Sequence, residues 1–223
     1  MKKKAIIFDL DGTLIDSMAL WRDVDSEFLN SRGISVPADL FDHLPAGNSF
    51  IQTAQYFKDR FALHETCEEI MQIWTSMVAD HYANSIPLKK GADLLLNQIS
   101  KAGLKIGLAT SNSRELAEKS LRYNSVWHFF DFAATGDQEL MGKPHPDIFL
   151  ACARGLGVDP SACVAIEDTL HGVQAAKAAG IYTIAIDDQD SASDQDRIKC
   201  LADAFCLDYL DITHELRRLR VNI

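Results

Sequence analysis

The sequence lacks paired cysteines and a surplus of positive charge, and both absences limit what the protein can be. Its five cysteines are scattered, and no two of them form a C-x-x-C pair. This pattern is typical of reduced, intracellular thiols in a core and argues against a disulfide framework or a zinc site. The formal net charge of -10 argues against nucleic acids or anionic membranes as partners, because both need basic faces. An anionic substrate would need local attraction, from a metal ion or a few placed cations.

The sequence also lacks a long apolar run, an internal repeat and a low-complexity segment. The basic residues 2–4 are followed by an apolar run that Asp9 interrupts at once. We therefore expect neither a signal peptide nor a membrane-spanning helix, and a cytoplasmic location. With 223 residues, of which 47% are hydrophobic, the chain suits one core domain of ordinary size with a smaller insertion.

Short apolar runs alternate with helical patterns over most of the chain. This alternation predicts an α/β fold in which helices cover both faces of a parallel sheet, with the active site beyond the carboxyl ends of the strands. The runs that suit strands are Ala5–Phe8, Lys105–Ala109, Phe132–Ala134, 163–166 and Tyr182–Ile186. The helical patterns between them cover residues 91–102, 114–123, 146–156 and 170–179.

One interval, residues 16–87, contains helical patterns only. It carries two apolar stripes at helical spacing: Leu20, Trp21, Val24 and Phe28, and then Ile70, Ile73, Trp74, Met77, Val78 and Tyr82. We therefore predict an all-helical cap inserted into a core formed by residues 1–15 and 88–223, with hinge-like connections near 14–17 and 85–90. Because the insertion directly follows the first strand, it is a candidate lid.

An acidic pair follows the first apolar run, in the stretch FDLDGTLIDS. Asp9 and Asp11 can both face one crevice if Leu10 points into the core. Like charges about 4 Å apart repel by roughly 4 kcal/mol at an effective dielectric of about 20, and a hard cation such as Mg²⁺ would remove this repulsion. An aspartate can also attack phosphorus, and a second one can serve as general acid and base. Alternatively, Asp11 and Gly12 form only a solvated turn.

Hydroxyl and amide side chains follow the second strand, in the stretch GLATSNS. Thr110, Ser111, Asn112 and the free backbone N–H groups at the start of a helix can form an anion site. Asn112 and Glu115, three residues further on, could also be only a helix-capping pair.

Charged side chains follow the next two strands. Lys143 lies in a loop between prolines, GKPHP, where it could neutralise charge on a transferring phosphoryl group or be only a solvated lysine. Glu167 and Asp168 could supply oxygen ligands for a metal, or only stabilise the following helix, which Thr169 is expected to cap. The combination of acid pair, hydroxyl, lysine and acid pair, each at a separate strand end, is more specific than any one of them.

In these motifs the sequence resembles the haloacid dehalogenase superfamily along its whole length. The opening D-x-D-G-T/V of that family is matched by the stretch DLDGT at 9–13, its hydroxyl residue by Thr110, its lysine by Lys143 and its acidic final motif by Glu167 and Asp168. The stretches GKPHPDIF and EDTLHGVQAAKAAG are similar to the branch that contains β-phosphoglucomutase and small sugar-phosphate phosphatases. The resemblance implies a Rossmann-like core with a helical cap, Mg²⁺, and phosphoryl transfer through an aspartyl-phosphate.

The resemblance also implies roles for single residues. Asp9 would be the nucleophile and a metal ligand, and Asp11 the general acid/base with its backbone carbonyl on the metal. Asp168 would complete the metal shell, and Glu167 would bind the metal directly or through water. The phosphoryl oxygens would be held by Thr110, the Ser111 backbone and Lys143. Because dehalogenases and phosphonate hydrolases of this superfamily lack an aspartate at the position of Asp11, its presence favours phosphoryl transfer to or from an oxygen.

Three functions stay open at this point. The leading one is a Mg²⁺-dependent phosphatase for a small phosphorylated metabolite, such as a sugar phosphate or a compound like phosphoglycolate. The others are a sugar-phosphate mutase and a non-catalytic binding protein. The candidate substrate contacts are Trp21, Asn48, Ser49 and Asn112, although Trp21 lies on an apolar stripe and could simply pack in the cap. We expect a monomer, because no apolar stripe is left over for an interface.

A mutase would have to hold a second phosphoryl group with cations from its cap. In the β-phosphoglucomutase pattern these are a histidine shortly after the first motif and an arginine and a lysine of the cap. Here Trp21 occupies the place of the histidine, the stretch PAGNSF at 45–50 has no cation, and residues 62–87 contain neither lysine nor arginine. The remaining cap cations are Arg22, Arg32, Lys58 and Arg60, so a different way of holding the second phosphoryl group stays open. The cations missing from the mutase pattern favour the phosphatase.

Overall fold

The fold is a parallel sheet with helices on both faces, seen in a computed structural model that describes residues 2–40, 50–138 and 140–223. The strands are β1 (Ala5–Phe8), β2 (Lys105–Ala109), β3 (Phe132–Ala134), β4 (Cys163–Glu167), β5 (Tyr182–Ile186) and β6 (Ala204–Cys206). The helices are α1 (Met18–Asn30), α2 (Phe50–Phe61), α3 (Cys67–Asn84), α4 (Ala92–Lys101), α5 (Arg114–Tyr123), α6 (Asp147–Gly155), α7 (Leu170–Ala178), α8 (Gln195–Leu201) and α9 (Tyr209–Arg218).

The strand order β3-β2-β1-β4-β5-β6 places the first strand in the middle of the sheet. Phe8, the last residue of β1, pairs with Leu108 of β2 on one side and with Ile166 of β4 on the other. The chain runs outward from β1 through β2 to β3 and then returns to β4, so the strand order reverses beside β1. Such a reversal opens a crevice at the carboxyl ends of the strands. The predicted α/β, Rossmann-like fold is confirmed.

Both faces of β1 are buried, which explains why its four residues are all apolar. Ile6 and Phe8 face one apolar cluster, which includes side chains of α4, α5 and α9 and continues into the helices of the insertion. Ala5 and Ile7 face a second cluster formed mainly with α6 and α7. The sheet is therefore packed on both faces at the point where the first acidic motif leaves it.

Helices α1 to α3 lie between β1 and α4, within the predicted insertion at 16–87, which we call the cap. Its interior is aromatic: the ring of Trp74 lies 5.0 Å from that of Phe57 and 5.4 Å from that of Phe28. The two connections to the core run side by side. The N–H of Lys89 donates to the carbonyl of Leu14 at 2.8 Å, so both connections are held together at the edge of the crevice.

Three elements lie beyond the alternating pattern seen in the sequence: α8, β6 and α9. Strand β6 has three residues, and two of them are only partly buried. A segment this short at the edge of a sheet has no period to detect, because tertiary pairing rather than local pattern makes it a strand. None of the helices in the described ranges has both the length and the apolar character that crossing a membrane demands.

Candidate active site

A buried lysine joins two carboxylates at the carboxyl ends of β1 and β4. Lys143 Nζ donates to Asp9 Oδ1 at 2.6 Å and to Glu167 Oε1 at 2.5 Å. The exposed fractions of the three side chains are 2% for Lys143, 8% for Asp9 and 1% for Glu167. The predicted convergence of these residues is therefore present in the fold, and Lys143 is not a solvated surface lysine.

Asp168 lies beside this ion pair and is oriented by the first motif. Thr13 donates its hydroxyl to Asp168 Oδ1 at 2.6 Å. Gly12 has a φ of +79°, and a Cβ added there would lie 2.3 Å from Asp168 Oδ2, so only glycine allows this approach. One carboxylate oxygen each from Asp9, Glu167 and Asp168 lies within 4.8 Å of the others. This spacing suits a cluster of metal ligands.

The cluster carries more negative charge than Lys143 can balance, since three carboxylates face one ammonium. Burial raises the pKa of Asp9 to about 8; the charge of Lys143 opposes this shift and that of Glu167 adds to it. Burial and the charges of Glu167 and Asp9 also raise the pKa of Asp168 well above its usual range. Burial by itself lowers the pKa of Lys143, but Asp9 and Glu167 more than offset this and raise it. An all-oxygen donor set with excess negative charge fits a hard divalent cation.

Glu167 uses both of its carboxylate oxygens. Oε1 accepts from Lys143, and Oε2 accepts from the backbone N–H of Thr169 at 2.7 Å and from its hydroxyl at 3.0 Å. Thr169 also caps α7, as predicted, by accepting from the N–H of Gly172 at 3.1 Å. Glu167 therefore orients Lys143 while it is itself held by the start of a helix.

The carboxylate of Asp11 lies outside this cluster and is held by neutral donors. Its Oδ1 accepts from Ser17 Oγ at 2.5 Å and from the hydroxyl of Tyr82, and its Oδ2 accepts from Asn112 Nδ2 at 3.0 Å. The turn predicted as the alternative for Asp11 and Gly12 is also present, so the turn and the network are compatible. Two residues apart in the chain, Asp9 and Asp11 have different surroundings.

Asn112 has a different role from helix capping. The alternative in which it forms a capping pair with Glu115 is wrong, because the N-cap of α5 is Ser113, whose hydroxyl accepts from the N–H of Leu116 at 3.3 Å. Asn112 Oδ1 accepts from the N–H of Ser113 at 2.7 Å, which leaves its amide nitrogen to donate to Asp11. The helix start thus positions Asn112 toward the acid of the first motif.

Thr110 and Ser111, the predicted phosphate ligands, form the turn that follows β2. The Thr110 side chain is buried, and its Oγ1 accepts from the N–H of Asn112 at 3.0 Å. The carbonyl of Ser111 accepts from the N–H of Phe50, the first residue of α2, at 3.2 Å. Because β2 pairs with β1, this turn lies next to the strand end that carries Asp9. Phosphate binding by these two residues stays a prediction.

Of the cap residues predicted as substrate contacts, the structure describes Trp21 but not Asn48 and Ser49. Trp21 Nε1 donates to the hydroxyl of Tyr82 at 2.7 Å, and its ring packs edge-on against Phe50 at 5.8 Å. These contacts match the alternative in which Trp21 packs inside the cap. Asn48 and Ser49 lie outside the described residues.

The sequence motifs do not identify three residues of the site: Thr13, Ser17 and Tyr82. Tyr82 lies on an apolar stripe of the cap, yet a fully buried tyrosine needs a partner for its hydroxyl. That rule is the available signal, although it does not identify Asp11 as the partner. Ser17 lies in the predicted hinge, where its spacing of six residues from Asp11 carries no pattern.

The chain is similar to known proteins over most of its length. The profile of the haloacid dehalogenase-like hydrolases matches residues 6–186. Hexitol phosphatase B of Escherichia coli (strain K12) is 31% identical over 195 residues, which cover 85% of this chain and 86% of that protein. The fructose-1-phosphate phosphatase of the same organism is 30% identical, covering 80% of this chain and 94% of that protein. The crystal structure of CbbY from Rhodobacter sphaeroides in complex with phosphate has a TM-score of 0.82 at 26% identity, covering 94% of this chain and 96% of that one.

Proposed function

Since this chain belongs to the haloacid dehalogenase-like hydrolases, we propose that it is a phosphatase that hydrolyses monoesters of small phosphorylated metabolites. The observation that carries the proposal is the buried cluster of Asp9, Lys143, Glu167 and Asp168 at the end of the central strand. A potential nucleophile, a cation for the phosphoryl oxygens and metal ligands are thereby brought to one place.

The metal we propose is Mg²⁺. Its ligands would be the carboxylates of Asp9 and Asp168 and the backbone carbonyl of Asp11, since the Asp11 carboxylate is engaged elsewhere. Glu167 would act indirectly, because both of its oxygens already have partners. When bound, the cation would supply the positive charge that keeps Asp9 ionised and balances the phosphoryl oxygens.

The chemistry would follow from the two aspartates. Lys143 holds Asp9 Oδ1, so we assign to Oδ2 the attack on phosphorus. The bond from phosphorus to the ester oxygen breaks as Asp11 gives its proton to the departing alcohol. Water then attacks the phosphorus of the aspartyl-phosphate and gives a proton to Asp11, while the bond between phosphorus and Asp9 Oδ2 breaks. Inorganic phosphate leaves, and the Asp9 carboxylate is regenerated. Thr110, the Ser111 backbone and Lys143 would hold the phosphoryl oxygens during both steps.

The cap would choose the substrate. We propose residues 16–87 as a separate helical domain and residues 1–15 and 88–223 as the catalytic core. The side-by-side connections, which meet at Leu14 and Lys89, support a hinge between them. The names of the relatives, a hexitol phosphatase and a fructose-1-phosphate phosphatase, support sugar and sugar-alcohol phosphates as the first candidates.

The cap cations favour hydrolysis over the mutase alternative. Each of the four has a partner in the described structure, so none is left unengaged there to grip a distal phosphoryl group. The pairs are Arg32 with Glu65, Arg60 with Asp39, Arg22 with Asp190, and Lys58 with the carbonyl oxygens of Leu63 and Glu65.

The first experiment is a phosphate-release assay over sugar phosphates, sugar-alcohol phosphates, phosphoglycolate and nucleotides, with Mg²⁺ and after exhaustive EDTA treatment. We expect release from at least one ester, only with the metal. Undiminished release without metal would contradict the assignment of the cluster. With β-glucose 1-phosphate and a trace of bisphosphate primer, efficient formation of glucose 6-phosphate with little free phosphate would establish the mutase instead.

The second experiment removes the nucleophile. Asp9→Asn should abolish turnover while the protein stays folded, because an amide is a poor nucleophile of the same shape. Asp11→Asn should lower the rate by roughly 10²–10⁴-fold, the usual contribution of a positioned acid/base. The exposed Asp93→Asn serves as the control and should be fully active. Near-normal rates in either active-site variant would refute the named roles.

A further inference from the structure

A hydroxyl of the cap, that of Tyr82, is bonded directly to Asp11 of the core. Tyr82 lies in α3 and is 0% exposed. Its oxygen is hydrogen-bonded to Asp11 Oδ1, to Trp21 Nε1 at 2.7 Å and to Asn112 Nδ2 at 3.0 Å, and the hydroxyl of Ser17 lies beside it. Asp11 and Asn112 belong to the core and Trp21 and Ser17 to the cap, so the hydroxyl bridges the two parts of the chain.

The direction of these bonds is fixed by the chemistry of the partners. The indole N–H of Trp21 can only donate. Asn112 Oδ1 is already used to accept from the N–H of Ser113 at 2.7 Å, so it is the amide nitrogen that points at Tyr82. The tyrosine oxygen therefore accepts from Trp21 and Asn112, and its single hydrogen is left for Asp11.

This arrangement orients the Asp11 carboxylate from two sides. Tyr82 and Ser17 donate to Oδ1, and Asn112 donates to Oδ2. A carboxylate with donors on both oxygens loses the rotation about its terminal bond that an unheld aspartate keeps. A group that transfers protons must be held within hydrogen-bond reach of the substrate oxygen, so loss of this orientation lowers the rate.

We propose that Tyr82 is a positioning residue that orients Asp11 for proton transfer and makes this orientation depend on the cap. The inference rests on the proposed phosphatase activity, in which Asp11 is the general acid. Trp21 acts one step further away, by directing the hydroxyl of Tyr82.

The test compares two esters that differ in their need for an acid. An alkyl phosphate that the enzyme hydrolyses has a poor leaving group, whereas para-nitrophenyl phosphate leaves without protonation. For Tyr82→Phe we expect kcat/KM on the alkyl phosphate to fall roughly ten- to hundredfold, the range for losing a hydrogen bond to a charged group. On para-nitrophenyl phosphate the loss should stay below about threefold, since kcat/KM covers only the steps up to departure of the leaving group.

Two further variants control the test. Tyr56→Phe removes another cap hydroxyl, which contacts Arg60 and lies in α2. This variant should have the same kcat/KM as the wild type on both esters. Trp21→Phe removes the donor that directs Tyr82 and should show the same preference for the aryl ester with a smaller loss. Circular dichroism and urea unfolding establish that each variant is folded.

The outcomes separate this inference from the proposed function. A wild-type enzyme that hydrolyses neither ester would overturn both. An active wild type whose Asp11→Asn variant discriminates between the esters, while Tyr82→Phe does not, would overturn only the role of Tyr82. Equal losses on both esters would show a purely structural role, and faster turnover would show that Tyr82 restrains Asp11 rather than positions it for transfer.

Discussion

The two sides of the crevice hold their aspartates by different forces. On the core side, Asp9 is fixed by a buried lysine at 2.6 Å and lies among other carboxylates. On the cap side, Asp11 is fixed by uncharged donors, two hydroxyls and an amide. Among the described residues, the side-chain donor to Asp9 belongs to the core, whereas two of the donors to Asp11, Ser17 and Tyr82, lie in the cap. Asp9, the proposed nucleophile, is therefore held from the core, whereas the contacts that hold Asp11, the proposed acid/base, include a cap helix.

The same contrast extends to buried charge. The core offsets part of its buried negative charge with Lys143, whereas Asp25 of α1 is buried in the cap and forms no ion pair with any residue that the structure describes. Of the residues the structure describes, none donates a hydrogen bond to the Asp25 carboxylate, and burial raises its pKa to about 7. Pairing offsets part of the cost of burying a charge, whereas a buried carboxyl without a charged partner favours its protonated form.

Removing the core cation should have the largest effect. Lys143→Met leaves Asp9 and Glu167 buried without their partner, and breaking a buried ion pair in this way costs roughly 3–5 kcal/mol. We expect the free energy of unfolding in EDTA to fall by that amount and phosphate release to be lost. Urea unfolding and a phosphate assay measure the two effects.

Added Mg²⁺ distinguishes the lost charge from a packing defect. It should stabilise Lys143→Met more than the wild type, because the variant has one more uncompensated negative charge at the cluster. Lys177→Met is the matched control: its pair with Asp203 is about a third exposed on both sides, so the cost should stay below about 1 kcal/mol, and Mg²⁺ should stabilise this variant only as much as the wild type. A Lys143→Met protein as stable as the wild type in EDTA would show that the pair contributes nothing.

Neutralising Asp25, the unpaired carboxylate of the cap, should raise the free energy of unfolding instead of lowering it. The pKa of Asp25 rises from 3.8 to about 7 on folding, so the folded state binds more protons between these values and stability falls as the pH rises through this window. Asp25→Asn removes the penalty and should stabilise the protein by at most about 4 kcal/mol above pH 7, at 1.36 kcal/mol per pKa unit.

The gain from Asp25→Asn should vanish below about pH 3, where Asp25 is protonated in both states. Asp23→Asn, at an exposed position of the same helix, should change stability little at any pH. Urea unfolding at several pH values gives the answer, and a gain independent of pH would mean that the carboxylate is not the cause.

Gly12 directly follows Asp11 and lies against Asp168, so replacing it should disturb the core side of the crevice. In Gly12→Ala the new Cβ would lie 2.3 Å from Asp168 Oδ2 at a φ of +79°. We expect a loss of roughly 1–3 kcal/mol and weaker Mg²⁺ binding, because Asp168 must move away from the cluster. Gly103→Ala has a similar φ of +72° with nothing within 4 Å, so it isolates the backbone strain. Equal losses in both variants would show that the contact with Asp168 is unimportant.

The smallest effect is expected at the outer contact between cap and core, where Arg22 of α1 pairs with Asp190. Arg22 is 44% exposed and Asp190 31%, and such pairs contribute about 0–1 kcal/mol. A double-mutant cycle with Arg22→Ala and Asp190→Ala should give a coupling within that range that decreases with added salt. A larger coupling that does not change with salt would show that this pair holds the cap against the core.

Part of the site could be predicted from the sequence because parallel strands bring their carboxyl ends to one edge of the sheet. Asp9, Thr110 and Glu167 follow strands whose apolar runs are visible in the chain, so their proximity follows from the α/β pattern alone. The interval without strands likewise predicted a helical insertion. The family followed from these motifs, and the comparison with known proteins confirmed it.

Only the tertiary structure decided how each side chain is held. The distance of 134 residues between Lys143 and Asp9, or of 71 between Tyr82 and Asp11, leaves no local pattern in the sequence. In the sequence Tyr82 cannot be told from the other apolar residues of its helix stripe, and only the packing of α3 over the crevice brings it to Asp11. Asn112 likewise has the sequence pattern of a helix cap, but in the structure Ser113 is the N-cap of α5. Local periodicity determines which faces of helices and strands are buried, whereas pairing between buried polar groups depends on how separate elements pack, because each such group must find its partner in three dimensions.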